Sequence, residues 1–150
     1  MIPVKITKFL EEAKIKYEPL SHKTVYTAYD KAATLRVPEK MVGKTLIVKL
    51  DKDIALVTIP ANRNLDKNKL KKAAKAKKLD FVSERVMKNK LKAVKMGAVP
   101  PLGQLWKIQT FVDRALMNNP KIILNSGDNN WSIKISPAQY QKKLLHHHPK

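Results

Sequence analysis

Gly43-Lys44-Thr45 is the tripeptide that closes a phosphate-binding loop of the form G-x-x-x-x-G-K-[ST], in which backbone N–H groups and the lysine surround phosphate. The opening glycine is missing, because position 38 is Pro38. The order of elements is also reversed. A phosphate loop runs from strand to loop to helix, so that the helix N-terminus adds its positive end. Here a helical stretch and Pro38 come first, and the β-rich run Leu46-Ile47-Val48 follows. A nucleoside triphosphate site is not expected.

Other catalytic patterns are sparse. The histidines are His22, His146, His147 and His148, so a metal site or a Ser-His-Asp relay would rest on His22 with no sequence-local partner. No G-x-S-x-G elbow is present. The absence of cysteine excludes disulfides, thiolate zinc sites and cysteine nucleophiles. No metal and no cofactor are implied. Asp113, Asp128 and Glu39 are general bases by type, although each such residue is more often a surface or capping carboxylate. The three terminal histidines fit a mobile tail from about residue 144.

Two features point to ester chemistry when they are combined. In Gly97-Ala98-Val99-Pro100-Pro101-Leu102-Gly103, two prolines stiffen a loop and Gly97 allows close backbone approach or positive φ. Fixed N–H groups stabilise the oxyanion of an ester under attack, and the donors here are Gly97, Ala98, Val99, Leu102 and Gly103. Lys44 opens a strand whose alternation puts it on one face with Leu46 and Val48, at the sheet end of an apolar surface. A cation there can hold phosphate or polarise a carbonyl. Taken alone, the loop is an ordinary turn and Lys44 an ordinary surface lysine.

Charge names the class of partner. The chain has 31 Lys and Arg against 12 Asp and Glu, a net charge of +19, which attracts polyanions, of which nucleic acid is the commonest. The cations cluster: between Lys67 and Lys95 stand 11 lysines and one arginine against Asp80 and Glu84. Lys69, Lys71, Lys72, Lys75 and Lys78 are the expected RNA contacts, suited to gripping phosphate without reading bases.

These residues need a scaffold, and 150 residues are enough for one domain with one core. The apolar spacing predicts a helix over Val4 to Ile15, then an extended stretch through "IKYEPLSH". Thr27-Ala28-Tyr29-Asp30 has the form of a capping box for a helix through Leu35, stopped by Pro38. "KTLIVKL" and "IALVTIP" predict a hairpin across Asp51-Lys52-Asp53. Asp66 caps a lysine-rich helix to about Lys77, "DFVS" is extended, and Glu84 to Leu91 is expected to be helical. "LWKIQTFVD", "KIILNS" and "WSIKIS" read as strands, and Ser136-Pro137 opens a last helix through Leu144. The expected fold class is α+β: a single domain with a mixed, curved, barrel-like central sheet flanked by short helices. No 18-residue apolar run or signal peptide is visible, and the chain reads as cytoplasmic with no membrane partner.

The ordered set "SHKTVYTAYDKAATLRVPEKMVGKTLIVKL", "GAVPPLG" and "KIILNSGDNNWSIKISPAQY" resembles the YbaK-like aminoacyl-tRNA deacylase family, which includes the editing insertion of bacterial prolyl-tRNA synthetase. The resemblance extends from about Phe9 to Leu144. It implies hydrolysis of the ester joining a wrong amino acid to transfer RNA. Lys44 matches the signature lysine, and Gly97 to Pro101 match the Gly-x-x-x-Pro loop that lies against the scissile carbonyl. Gly127 matches a glycine turn across the pocket, and His22 with Thr27-Ala28 matches a segment near its mouth. The branch acting on cysteinyl esters has a tyrosine two residues before the histidine and an acidic residue at the position of Ser132, whereas this chain has Leu20 and Ser132. The reading is a free-standing enzyme acting in trans, with tRNA-Pro as the expected carrier. Association with a synthetase or elongation factor is a further expectation. A non-catalytic RNA-binding module of the same fold is the alternative, and a purely structural domain the third.

Overall fold

A computed structural model describes residues 1 to 144, with side chains through residue 141. The terminal histidines lie outside the described residues. Four helices are present among them: α1 (Val4–Glu12), α2 (Ala28–Leu35), α3 (Lys67–Ala74) and α4 (Pro137–Leu144). The strands are β1 (Glu18–Ser21), β2 (Gly43–Leu50), β3 (Asp53–Pro60), β4 (Leu79–Phe81), β5 (Gln109–Val112), β6 (Ile122–Asn125) and β7 (Trp131–Ile135).

The strands form two sheets, β1-β7-β6 and β4-β2-β3-β5. All pairings are antiparallel except β3 with β5, which makes the second sheet mixed. A parallel bridge between Val42 and Ile123 joins the sheets, so the barrel-like curvature is present without closure into a barrel.

Alternation sorts the apolar residues into layers. Ile6 and Leu10 of α1 pack on Ile122, Leu124 and Ile133, with Tyr140 of α4 beneath them. Ile47 and Leu56 point to a second cluster with Leu91, Val99 and Trp106. On the opposite face, Val48, Leu50, Val57 and Ile59 are covered by Leu70 of α3. Burying a side chain of this size contributes roughly 1.5–3 kcal/mol, so these layers carry the fold.

Several local expectations are corrected. The first helix ends at Glu12, because Lys14 turns left-handed (φ 57°) and Ile15 returns its N–H to Leu10 O at 3.0 Å. The turn buries Ile15, which a continued helix would carry round to another side. Only half of the capping box forms: Thr27 Oγ1 accepts from Asp30 N–H at 3.0 Å. The hairpin loop is two residues, since Asp53 already pairs with Leu50.

The lysine helix stops at Ala74 rather than Lys77. Lys75 forms a left-handed cap (φ 56°), and the Asp51 carboxylate takes the N–H groups of Lys77 and Lys78 at 3.0 and 2.9 Å. That capture turns the chain into β4 beside β2. Residues 84 to 91 make successive turns instead of a helix, with Val86 N–H on Ser83 O and Met87 N–H on Glu84 O. Val86 and Asn89 are weak helix formers, and the buried anchors are just Met87 and Leu91. Strand β5 begins at Gln109, because Gly103–Trp106 form a 3-10 turn.

Candidate functional site

Three segments converge beyond the end of β6: residues 22–27, 95–101 and the turn 125–130. Val25 N–H donates to Asn129 O and His22 N–H to Asn130 O, at 3.0 and 2.9 Å. Asn129 Nδ2 donates to Met96 O at 3.0 Å, and Gly127 N–H to Ala98 O at 2.8 Å. The glycines allow this stacking. Gly97 (φ 81°) lies so close to Tyr26 that an added Cβ would sit 2.8 Å from its carbonyl oxygen. Gly127 (φ 97°) has Val94 and Pro3 at the same place.

The Gly97–Pro101 loop is held at four points. Glu84 Oε1 accepts from Gly97 N–H at 2.8 Å, and Ala98 O accepts from Gly127. Val99 O accepts from Asn125 Nδ2 at 3.0 Å, and Pro101 O accepts from Tyr140 OH at 2.7 Å. Tyr140 is fully buried, which raises its hydroxyl pKa far above the ordinary value. Of the five donors expected for an oxyanion, four are committed. Gly97 serves Glu84, Ala98 serves Lys95 O, Leu102 serves Pro100 O and Gly103 serves Thr110 Oγ1. Val99 N–H alone among them has no acceptor in the described residues. A buried N–H without a partner costs stability unless a ligand or water meets it.

Asn125 links the loop to the lysines. Its Oδ1 accepts from Lys31 Nζ at 2.6 Å, and both residues are buried. Burial lowers the Lys31 ammonium to about 7. Lys44 lies nearby by register. Two residues beyond the Val42–Ile123 bridge stand Lys44 on β2 and Asn125 on β6, and strand alternation gives all four side chains the same side. Lys44 is half-buried, and its ammonium has no hydrogen bond or ion pair with any described residue. The Val99 side chain does not point to this face, since it packs with Ile47 on the other. The loop reaches the Lys44 side through the carbonyl that Asn125 holds.

The remaining expected site residues surround this centre. His22 Nδ1 lies 2.8 Å from Lys23 O, and Nε2 lies 2.8 Å from Ser132 Oγ. A carbonyl accepts only, so Nδ1 carries a proton, and in that tautomer Nε2 accepts from the Ser132 hydroxyl. That is the geometry of an activated serine, but Ser132 is 0 % exposed and out of reach of a substrate. Thr27 Oγ1 is occupied as the cap of α2.

The three carboxylates considered as bases differ. Glu39 opens a short 3-10 turn, and Asp113 Oδ1 accepts Ala115 N–H at 2.8 Å. Burial pulls the Asp128 carboxyl upward, but the Asn130 N–H, the Lys95 ammonium at 3.2 Å and the terminal amine at 3.5 Å hold it below its ordinary value. Among the described residues, no three His, Cys, Asp or Glu side chains converge as a metal site requires.

Two clefts flank the centre. One of about 430 Å³ lies beside the loop, between Tyr26, Leu91, Val94, Met96 and Val99. The other, about 380 Å³, lies between α3 and β3-β5. Its floor includes Val57, Ile59 and Phe111, and its rim carries Arg63, Lys69 and Arg114. Ile59 pairs with Lys44 across β2-β3, so this groove opens on the Lys44 face. Lys69, Lys72, Lys75 and Lys78 are exposed on and just after α3, and Lys71 is half-buried.

Lys31, Asn125, Glu84 and Tyr140 were not among the residues expected from sequence. Lys31 had left a signal: it interrupts the helical stripe Ala28, Ala32, Leu35, where a lysine must enter the core. Asn125 ends an apolar strand immediately before the Ser126-Gly127 turn. Glu84 and Tyr140 had no comparable mark.

No curated protein matches the sequence significantly. Among solved structures, the hypothetical protein APE2540 is 25% identical with a TM-score of 0.80, the match covering 92% of each chain. A candidate trans-editing enzyme for prolyl tRNA synthetase is 20% identical with a TM-score of 0.74, covering 91% of this chain and 87% of its own. The profile of the aminoacyl-tRNA editing domain matches residues 22–143, a span that contains the loop, Lys44, Asn125 and the turn at Gly127. The chain belongs to the aminoacyl-tRNA editing domain family.

Proposed function

We propose that this protein is a free-standing deacylase that hydrolyses the ester of mischarged aminoacyl-tRNA in trans, with tRNA-Pro as its carrier. The observation that carries the reading is the loop. Four ties fix it, one N–H remains to donate, and an uncommitted lysine stands on the face that Asn125 connects to it. A preorganised donor of this kind contributes about 10²–10³ in rate to oxyanion reactions.

In this mechanism water attacks the ester carbonyl carbon, oriented by the neighbouring ribose hydroxyl of the terminal adenosine, since Glu84, Asp113 and Asp128 are each engaged by a backbone N–H group among the described residues. Charge on the carbonyl oxygen is met by Val99 N–H and by Lys44. Collapse breaks the bond to the ribose oxygen, which takes the proton. Gly97, Ala98 and Pro101 hold the geometry, and His22 and Gly127 shape the amino-acid side, with Ser132 and Thr27 acting from behind through the His22 ring and the cap of α2. The acceptor end approaches along the Arg63, Lys69 and Arg114 groove, its stem phosphates on Lys71, Lys72, Lys75 and Lys78.

The test is single-turnover hydrolysis of alanyl, cysteinyl, seryl and threonyl esters on several transfer RNAs, tRNA-Pro included. At least one ester should disappear faster than in buffer, and Lys44→Ala should abolish the gain. Tight RNA binding with no ester cleaved would instead support the binding-module reading. Full-rate hydrolysis of an ester lacking the adjacent ribose hydroxyl would overturn the substrate-assisted step.

A further inference from the structure

We propose that Lys31 is a positioning residue for the loop: through Asn125 it fixes the Val99 peptide, and its protonation sets how firmly that peptide is held. The inference rests on the deacylase reading for its effect on rate, but its structural half stands without it.

The chain of contacts is short. Lys31 Nζ donates to Asn125 Oδ1 at 2.6 Å, and Asn125 Nδ2 donates to Val99 O at 3.0 Å. An ammonium only donates and a carbonyl only accepts, so the Asn125 amide has one permitted orientation. The Val99 carbonyl is one bond-pair away from the Val99 N–H through the same residue, so holding one restricts the direction of the other. Without Lys31, Oδ1 of Asn125 would be a buried acceptor with no donor, and the amide would gain freedom to rotate.

A lysine at this position is otherwise hard to account for. It is 4 % exposed, shares a helical face with Ala28, Ala32 and Leu35, and makes no ion pair with any described residue. Asp30 lies on the same helix, Glu39 and Lys40 on the following turn and Lys44 on β2, while strand register puts Lys134 and Glu18 on the same sheet face as Ile123 and Asn125, and His22 meets Ser132, the cross-strand partner of Asn125. None of them pairs with it, while β6 and residues 97–101 carry no charge at all. Asp128 beyond β6 is already neutralised by Lys95. With burial as the one influence, the ammonium loses its proton at about 7. The neutral amine is a weaker donor and can also accept, so the orientation of Asn125 becomes less restricted above neutrality.

Lys31→Met keeps the stem and removes the donor. In the free protein, the Val99 amide resonance should titrate with a midpoint near pH 7 in the wild type and stay flat in Lys31→Met. In single-turnover hydrolysis, Lys31→Met should lower kcat about tenfold with KM within twofold, and the wild-type advantage should shrink as pH rises through 7. In an Asn125→Ala background the same substitution should cause no further loss. A pH-invariant Val99 resonance in the wild type, or additive losses for the two substitutions, would overturn the proposal. Should the wild type cleave no ester, the deacylase reading falls, and the resonance experiment still decides the structural half.

Discussion

On one side of Lys44, the buried groups of Lys31, Asn125, Ser126 and Asp128 each have a named partner. On the other, Lys69, Lys72, Lys75 and Lys78 are exposed and form no ion pair among the described residues. Both regions are built from polar residues, but they do different physical work. Removed from water, a polar group must be matched in direction, so the buried side fixes geometry. An exposed ammonium stays hydrated and acts at range, so the α3 side attracts phosphate without orienting it. Positioning and attraction are thus separated in space, with Lys44 between them.

The contrast predicts that the buried side carries a stability cost, and Lys31→Met should reveal it. Lys31 holds its proton to about 7 when folded and to 10.5 when exposed. Between those values the unfolded chain binds more protons, so wild-type stability should rise with pH from about 7 toward 10.5. Below about 7 both states are protonated and the penalty is constant. At 1.36 kcal/mol per unit the displacement corresponds to as much as about 4–5 kcal/mol, offset by the lost bond to Asn125. Urea denaturation at pH 6 should therefore find the variant more stable by several kcal/mol, with the pH slope above 7 removed. A less stable variant at pH 6 would mean that the charge is not desolvated as its surroundings indicate. Together with the slower turnover expected of the same substitution, this is a stability–activity trade-off at one residue.

Lys44→Ala tests the centre itself. The lysine has no hydrogen-bond or ion-pair partner among the described residues, so its loss should leave folding unchanged. Hydrolysis should fall by about 10²–10³, roughly 3–4 kcal/mol of transition-state stabilisation. Binding of uncharged transfer RNA should change less than threefold, since the α3 cations outnumber it. Equal losses in binding and rate would place Lys44 with the attracting surface instead.

Legibility follows the same division. The hairpin of β2 and β3, the Thr27 cap and the positive φ of Gly97 are written in local residue choice, and each appears where the sequence places it, whereas the turn at Gly127 was implied by the family resemblance alone. Charge clustering is also a property of sequence, so the α3 surface could be read directly. The helix boundaries could not. Asp51 ends the path of α3 from 26 residues away, and no window of sequence contains that contact. The same holds for the site. Lys44 and Gly97 to Pro101 could be named from their motifs, but the choice of Val99 as the free donor depends on acceptors at Glu84, Lys95, Pro100 and Thr110. Lys31 was visible as an irregularity in an apolar stripe, and only Asn125, 94 residues on, gives it a purpose.

On the attracting side, replacing Lys69, Lys72 and Lys75 together with Gln should raise KM about tenfold at moderate salt and leave kcat unchanged. The logarithmic salt dependence of KM should become shallower by about 2–3, since each phosphate contact on paired nucleic acid contributes roughly 0.9 to the slope. The comparison predicts no change in the pH profile, because none of these groups touches the loop. A fall in kcat with unchanged KM would show that α3 also orients the substrate.

The smallest expected effect is at Ser132, where the two uses of polar groups are hardest to tell apart. Its hydroxyl donates to His22 Nε2 at 2.8 Å from a fully buried position, while His22 is half-exposed. Ser132→Ala therefore removes the buried donor and leaves an acceptor that water can reach. The cost should be that of one hydrogen bond, about 0.5–1.5 kcal/mol in denaturant unfolding. Turnover should change less than threefold, because residues 22–27 remain tied to the 129–130 turn through Val25 N–H and His22 N–H. A loss of more than a hundredfold in kcat with unaltered stability would reassign the pair. Ser132 and His22 would then be chemical participants reached by an opening of β1 from β7, and the buried side would be doing chemistry as well as holding geometry.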